Sequence, residues 1–456
     1  MIEHHQKFLW AYWFIVFAGL WLIFCGLSTS YALNPVEPAG ARQIWISLQS
    51  RIEVLKISDI VSGIALIIFG FRALSPDRPV SLWAACFTGI WLNFAPLLFW
   101  APTAFIYLND TLVGTLVITL SVLIPGMPNM VAFMQANPQQ PGWSYNPSSW
   151  PQRAPMIALG FFGWMVSRYL AFYQLGYLDR VWDPLFGHGT KSVLDSSISR
   201  SLPISDAGLG AVAYTFEFLM GWMGSQARWR TMPWMVTFFG ILVIPLGLVH
   251  ILLVSSQPVV VGYWCTLCLL AAAIMLPMIP LEVDEVVAML QFMVKARGEG
   301  KAFWRTFWLG DTLQGGTSQN NDLEITHFAK EPLATFRAGI LGMSAPANLV
   351  ITAAMGLYLM FSPAIFSKSG TSADFDHILG ALIITVSVIS MAEIIRTARF
   401  VNIIICVILV IAAIFTQSSG PTGKLSSIVC GFIIAVLSLP RGKILQHYGG
   451  WERYIF

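Results

Sequence analysis

The chain has 456 residues, of which 56% are apolar and 11% are charged, and its mean hydropathy is +0.69. A soluble domain carries roughly 25% charged residues, so this composition excludes a soluble enzyme. About twelve apolar segments of membrane-spanning length also exclude a soluble enzyme with one anchor. The net charge of +3 is too small to indicate nucleic-acid binding.

Apolar runs bounded by charges, prolines or polar loops predict an all-α polytopic membrane protein with about twelve transmembrane helices. They lie near residues 9–33, 55–74, 80–100, 106–125, 154–178, 206–224, 232–256, 260–281, 338–362, 375–395, 400–416 and 425–440. The first segment has features of a signal peptide, but its pattern recurs later in the chain, so we interpret it as a mature helix.

The distribution of cations predicts the orientation. With both termini in the cytoplasm, 17 of the 26 Lys and Arg residues lie on the inner side, 8 lie outside, and Arg168 lies within a span. This excess of inner cations and an even number of helices favour that orientation.

A helical hairpin repeats at both ends of the chain. GLWLIF at 19–24 returns as GIWLNF at 89–94 and GLYLMF at 356–361, and the helix after each opens with Asp-x3-Gly. These pairs are Asp59/Gly63, Asp110/Gly114 and Asp376/Gly380, with a weaker copy at Ser427/Gly431. We interpret the aspartates as helix caps rather than catalytic groups, and the glycines as sites of close helix approach.

Prolines follow two of these runs, in Ala95-Pro96 and Ser362-Pro363. Residues 9–128 and 340–440 thereby resemble the SPW family of small bacterial membrane proteins, although Leu97 and Ala364 replace the tryptophan after each proline. The resemblance implies architecture, and we expect a bacterial-type inner (plasma) membrane.

We predict five parts in the chain. Two four-helix modules of repeated hairpins, 1–135 and 338–456, flank a central four-helix bundle at 154–281. A Pro-rich cytoplasmic linker, 136–153, precedes the bundle. The linker 282–337 begins with an acidic amphipathic run, expected to be a helix at the inner interface, and contains the flexible sequence GDTLQGGTSQNND at 310–322.

Six cysteines occur, and four of them, Cys25, Cys86, Cys406 and Cys430, are scattered singly as expected of apolar fillers. Cys265 and Cys268 form Cys-Thr-Leu-Cys at the outer end of the eighth span. Residues i and i+3 share a helix face, so the sulfurs can bridge, and the helix dipole stabilises a thiolate there. Redox chemistry is favoured, while a structural pair stays open and zinc would need further ligands beyond His250.

The middle module resembles the vitamin K epoxide reductase family over about 154–281. The matching stretches are MIALGFFGWMVSRYL in its first helix, VLDSS at 193–197, GLGAVAYTFEFLMG at 208–221 and WCTLCLL at 264–270. The resemblance implies a four-helix membrane bundle whose Cys-x-x-Cys lies beside a quinone pocket. It also implies that Cys268 faces the quinone, that Cys265 exchanges with a thiol, and that Ser196 and Asp206 are the family's loop serine and quinone-facing polar residue.

One departure from the family concerns electron supply. Its members usually carry two relay cysteines in the outer loop, whereas 179–212 contains none, and Thr190, Lys191 and Ser192 precede VLDSS. Electrons would therefore reach Cys265 directly from an outer-side thiol protein, or the pair no longer turns over.

Three ionisable residues within the predicted bundle suggest function, because burying charge in a membrane is costly. Arg168 and Glu217 lie at similar depth and are predicted to pair, with proton delivery to a quinone as the alternative. His250 is predicted near the depth of Cys268, where it could donate a hydrogen bond or proton to a quinone carbonyl, although a satisfied buried histidine is the somewhat favoured interpretation.

The sequence therefore predicts a thiol/disulfide:quinone oxidoreductase that uses Cys265 and Cys268, with ubiquinone or menaquinone as cofactor and no metal. Its expected partners are the lipid bilayer, the quinone and an outer-side thiol protein. A non-catalytic scaffold or subunit of a larger membrane complex is the main alternative. A transporter is disfavoured because the hairpins repeat in one orientation.

Overall fold

The computed structural model describes residues 2–28, 31, 33–40, 42–78, 80–124, 141–311, 331–416 and 420–455. The α-helices are α1 Ile2–Lys7, α2 Leu9–Leu27, α3 Leu48–Ala73, α4 Val80–Leu98, α5 Ala104–Ile118, α6 Trp150–Gln174, α7 Gly189–Leu194, α8 Asp206–Trp222, α9 Arg228–Thr231, α10 Pro233–Val243, α11 Pro245–Val260, α12 Thr266–Gly298, α13 Phe303–Leu309, α14 Pro332–Gly339, α15 Ala347–Ile365, α16 Gly370–Ile389, α17 Val401–Phe415 and α18 Pro421–Leu437. A π-turn, Thr119–Leu123, extends α5, and 3₁₀ segments lie at Glu393–Phe400 and Gly449–Tyr454.

The all-α membrane fold class is confirmed. Each of the twelve predicted segments overlaps an observed helix, and the described ranges contain no named β-strand. Ten helices in these ranges are long and apolar enough to cross a membrane. The remaining two segments correspond to α8 and α18, which have 17 residues each. The chain is therefore a multi-pass membrane protein.

The interpretation of the repeat aspartates as helix caps is wrong. Helix α3 begins at Leu48, and Ser47 caps it by accepting a hydrogen bond from the Ser50 amide, so Asp59 lies eleven residues inside the helix. Thr103 likewise caps α5, which leaves Asp110 in the helix interior. Both aspartates are fully buried. In both helices the residues ahead of the aspartate are helical too, and this moves the capping position upstream.

The close approach of the hairpin helices at glycine is confirmed. In three of the four repeats the glycine of one helix faces that of the next, so that a Cβ atom would lie under 3 Å from a backbone oxygen of the facing residue. These pairs are Gly19 with Gly63, Gly89 with Gly114, and Gly356 with Gly380. Any larger side chain would separate the two helices of the hairpin.

The chain forms two compact units. The first comprises residues 1–135 and 160–225, and the second comprises 136–159 and 226–456. In the first, α4 packs against α8, and Val212 of α8 joins a core with Leu55 and Ile106. In the second, α16 packs against α11 and α12. Each unit thus joins one hairpin module to part of the predicted bundle.

Helix α12 continues through the region where we expected a separate interfacial helix. It spans 33 residues to Gly298, and its three acidic residues at 282, 284 and 285 are buried rather than solvated. Arg228 explains the burial of Glu285, because its Nε and Nη2 donate to the two oxygens of that carboxylate at 2.6 and 2.5 Å. Of the predicted flexible sequence 310–322, only Gly310 and Asp311 are among the described residues.

The described part of the Pro-rich linker, 141–149, also packs against α12. Trp143 Nε1 donates to Gln291 at 2.8 Å, and the Tyr145 hydroxyl donates to Asp284. Burial, together with the adjacent Asp284 carboxylate, raises the pKa of Tyr145 well above its ordinary value, so the hydroxyl stays protonated and remains a donor. Residues 136–140 of the linker lie outside the described residues.

The Arg228–Glu285 pair provides a test of this packing. Arg228→Met leaves a buried carboxylate without its main partner, and we expect a loss of about 3–5 kcal/mol of stability, measured by denaturant unfolding in detergent. The double variant Arg228→Met/Glu285→Leu should recover most of this loss. The more exposed pair Lys301–Asp311, with 3.1 Å between Nζ and Oδ1, serves as control and should contribute under about 1 kcal/mol. An unchanged Arg228→Met variant would contradict the importance of the pair.

Candidate redox site

The predicted site residues divide between the two units. Cys265, Cys268 and His250 lie in the second unit, whereas Arg168, Ser196, Asp206 and Glu217 lie in the first. We therefore describe two groups of residues, beginning with the cysteines.

Cys265 and Cys268 form a disulfide at the N-terminus of α12. Cys265 is the N-cap residue, with extended backbone angles, and the Cys268 amide donates to its sulfur over 3.0 Å. The Cα atoms are 5.2 Å apart, within the range that disulfides require. The positive end of the helix dipole would stabilise a thiolate formed here when the bond is reduced.

Gln257 positions the disulfide and was missed by the sequence analysis. Its Oε1 accepts a hydrogen bond from the Cys265 amide at 3.1 Å, and its own carbonyl accepts from the Val261 and Gly262 amides. The side chain is buried in the last turns of α11. The only sequence signal was an amide residue between Ser256 and Pro258 in an apolar helix, eight positions before Cys265.

The two sulfurs differ in accessibility. Cys265 is completely buried, whereas Cys268 is partly exposed. The turn before Cys265 is exposed at Gly262 and Tyr263, and Gly262 has a φ of 79° with open space around it. Since exchange requires access to the attacked sulfur, a thiol can reach Cys265 only when this turn moves.

A second histidine lies next to the disulfide. The ring of His377, on α16, makes an edge contact with the ring of Trp264, with centroids 5.7 Å apart. His377 Nδ1 is buried and accepts or donates no hydrogen bond among the described residues. The sequence analysis missed His377 because the hairpin module and the Cys-x-x-Cys motif are more than 100 residues apart in the chain.

His250 lies deeper than its predicted position. Helix α11 ends at Val260, four residues beyond the predicted end, so His250 lies ten residues, or about 15 Å, from that end. Cys268 occupies the first turn of α12. The predicted contact of His250 with a quinone carbonyl stays a prediction.

An apolar cavity of about 400 Å³ lies between α10, α11, α12 and α13. Its lining includes Ile244, Val286, Met293 and Phe307. Val286 is 18 residues beyond Cys268 on α12, which places the cavity about 27 Å along the helix from the disulfide. A ring bound in this cavity could not contact the sulfurs.

In the first unit, Asp206 belongs to a hydrogen-bond cluster at the start of α8. Its Oδ1 accepts from Gln174 Nε2 at 2.5 Å and from Ser199 Oγ at 3.0 Å. Arg42 holds the same loop, because its guanidinium donates to the carbonyls of Leu194 and Ser199. Ser196 lies in this loop, where its Oγ accepts from the Ser199 amide at 3.3 Å. The loop is thus bound to the N-terminal hairpin module.

The predicted pairing of Arg168 with Glu217 is wrong. The Arg168 guanidinium donates to Thr111 Oγ1 at 2.8 Å and lies over the ring of Trp164. On α6, Gly160 and Gly163 face α8, and Arg168 follows a different stripe of that helix. Glu217 is fully buried, and neither of its carboxyl oxygens has a hydrogen-bond partner among the described residues. Arg168 and Glu217 were predicted at similar depth, but the Arg168 side chain is not on the face of α6 that contacts α8.

Comparison with known families agrees with this geometry. Residues 154–283 match the model of the vitamin K epoxide reductase family. This segment of the chain is similar to that family. Residues 347–440 match the SPW repeat domain, which corresponds to α15–α18. No curated protein and no solved structure matches the chain significantly.

The reductase-family domain, the disulfide and the apolar helices together support a membrane oxidoreductase of the thiol type. The domain spans both units and contains every candidate site residue that we predicted. No group of three or more His, Cys, Asp or Glu side chains within the described ranges could hold a metal ion.

Gln257 gives a test of the site geometry. Gln257→Leu leaves the buried Cys265 amide unpaired, at a cost of about 1–3 kcal/mol if the closed turn is kept. Because opening of the turn avoids that cost, we expect faster alkylation of Cys265 after mild reduction, measured by mass spectrometry. Gln257→Glu retains an acceptor and is the matched control. Equal alkylation rates in wild type and Gln257→Leu would contradict the positioning role.

Proposed function

We propose that the protein is an integral-membrane thiol/disulfide:quinone oxidoreductase. The observation that carries the proposal is the Cys265–Cys268 disulfide at the first turn of a membrane helix, inside the segment that matches the reductase family. The sulfur-bearing residue Cys268 is partly exposed, whereas a disulfide with a purely structural role needs no exposed residue.

The reaction has two balanced halves. A thiolate of a partner dithiol attacks Cys265, the Cys265–Cys268 bond breaks, and Cys268 leaves as a thiolate. The second thiol of the partner then resolves the mixed disulfide, so the partner is oxidised to a disulfide and both cysteines become reduced. A quinone takes two electrons and two protons from the pair, which restores the disulfide and yields a quinol.

The electron donor in this proposal is a separate thiol protein on the outer side. The loop that carries relay cysteines in the family has no cysteine here, and it is bound by Arg42 and by the Asp183 carboxylate, which accepts from the Thr190 amide at 2.6 Å. This fixed loop cannot carry electrons, so a partner must reach Cys265 after the turn at Gly262 moves.

Cys268 is the sulfur that we assign to the quinone, ubiquinone or menaquinone, because it is accessible while the disulfide is intact. The quinone would supply the electron acceptor when bound. His377 is a candidate proton donor close to the disulfide, beside Trp264, and His250 is a second one deeper in the same unit. Ser196, Asp206 and Glu217 stay predicted members of the site.

The proposed setting is a bacterial-type inner (plasma) membrane with both termini in the cytoplasm. This follows from the excess of Lys and Arg in the predicted inner loops, and it places the disulfide on the outer side, where disulfide chemistry is supported.

A non-catalytic subunit of a larger membrane complex is the second candidate. The complete burial of Cys265 and the absence of relay cysteines in 179–212 favour it. In that case the reductase fold would be retained for assembly, and the disulfide would stabilise the turn between α11 and α12.

Trapping of a mixed disulfide distinguishes these functions. In a background with Cys25, Cys86, Cys406 and Cys430 replaced by Ala, Cys268→Ser leaves Cys265 as a single thiol. Its thiolate attacks the disulfide of the oxidised partner, one partner sulfur leaves as a thiolate, and Cys268 is no longer there to release the adduct, so a mixed disulfide on Cys265 should accumulate. Non-reducing gels and mass spectrometry of isolated membranes would detect it.

Cys265→Ser is the matched control and should trap much less. An adduct on Cys268 alone would reverse the two roles. The absence of any adduct in both variants would favour the non-catalytic subunit.

A further inference from the structure

The two N-terminal hairpins bring their repeat aspartates together. Asp59 of α3 and Asp110 of α5 occupy equivalent repeat positions, four residues before Gly63 and Gly114. Both side chains are fully buried, and their carboxyl groups lie within hydrogen-bond reach of each other. Two acidic groups therefore meet in the interior of this module.

Among the described residues, each carboxyl group has a hydrogen-bond donor at one of its two oxygens. The Tyr31 hydroxyl donates to Asp59 Oδ2, and Asn109 Nδ2 donates to Asp110 Oδ1 at 3.2 Å. Asp59 Oδ1 and Asp110 Oδ2 are buried and have no hydrogen-bond donor among the described residues. Two such oxygens without a positive partner are costly in a membrane interior, because two nearby carboxylates cannot both be ionised there.

In the C-terminal module, a lysine ammonium group lies between the two equivalent repeat positions. Its repeat positions are Asp376 and Ser427, whose Oγ donates to Asp376 Oδ1 at 3.1 Å. The buried ammonium group of Lys368 lies 2.5 Å from Asp376 Oδ2 and 2.7 Å from Ser427 Oγ. Ser362 donates to the same carboxylate at 2.6 Å. A cation thus completes the pair of repeat positions in this module.

Among the described residues of the N-terminal module, no cationic side chain takes this place. Arg51 precedes Asp59 by the same eight residues that separate Lys368 from Asp376, but α3 is already helical at Arg51. Its guanidinium donates instead to the Trp100 carbonyl at 2.7 Å and pairs with Glu37 at 3.2 Å.

The other ionisable groups near the aspartates bring no positive charge. Cys25 of α2 and Tyr177 are the remaining neighbours that interact with the pair, and both are neutral acids. Arg168 of α6 donates to Thr111. In the described residues, no salt bridge joins Asp59 or Asp110 to a cation.

We propose that Asp59 and Asp110 form a binding site for one small monovalent cation, a proton or Na⁺, that takes the place of the Lys368 ammonium group. The four carboxyl oxygens of the two aspartates supply hard ligands. Tyr31 donates to one oxygen of Asp59 and Asn109 to one oxygen of Asp110, and these bonds orient the two carboxyl groups. The site is independent of the disulfide, so it extends beyond the proposed redox function and can hold if that function fails.

Infrared spectroscopy of the purified full-length protein tests this site. In Na⁺-free buffer at neutral pH, the infrared spectrum of wild type should contain a protonated-carboxyl C=O band that the spectra of Asp59→Asn and Asp110→Asn lack. Asp376→Asn is the matched control, because Asp376 is paired with Lys368 and its loss should leave that band unchanged.

Binding of radioactive Na⁺ to wild type, which needs no variant, distinguishes the two cations. Saturable binding of one Na⁺ per chain, with loss of the carboxyl band, identifies Na⁺ as the occupant. A band that Na⁺ does not alter identifies a proton. The proposal would be overturned if wild type bound no Na⁺ and if its protonated-carboxyl band were no larger than that of folded Asp59→Asn and Asp110→Asn.

Discussion

Helix α12 runs without interruption from the disulfide to Gly298, and this continuity connects the redox site with the buried ion pair of the second unit. At its first turn, Cys265 caps the helix and Gln257 holds the Cys265 amide. About 30 Å further along, Glu285 is fixed by both nitrogens of the Arg228 fork. Without these partners, the Cys265 amide at the start of the helix and the Glu285 carboxylate in its interior would be buried and unsatisfied.

The hairpin modules contribute more than length to this arrangement. In the second unit, α16 brings His377 against Trp264, directly before Cys265. In the first, Arg42 binds the loop that precedes α8. In each unit a hairpin module thus contacts a loop or turn of the segment that is similar to the reductase family. In the proposed function, electron supply is left to a partner protein.

The sequence was sufficient for features that depend on local pattern. Long apolar runs predicted the helices, the glycine of each repeat predicted close helix approach, and Cys-x-x-Cys predicted a bridged pair. It was insufficient where a side chain chooses among distant partners. Arg168 selected Thr111 rather than Glu217, and Asp59 meets Asp110 rather than a helix terminus. Neither choice has a signature in spacing, because each depends on which faces of non-adjacent helices meet.

The central claim is that the Cys265–Cys268 pair exchanges electrons with a membrane quinone. The most direct measurement is thiol trapping of these two cysteines in native membranes, with the other four replaced, while quinone is depleted and then restored. The account predicts that the pair becomes reduced on depletion and is reoxidised when quinone is added. A disulfide that stays oxidised throughout, in membranes with active thiol donors, would contradict it.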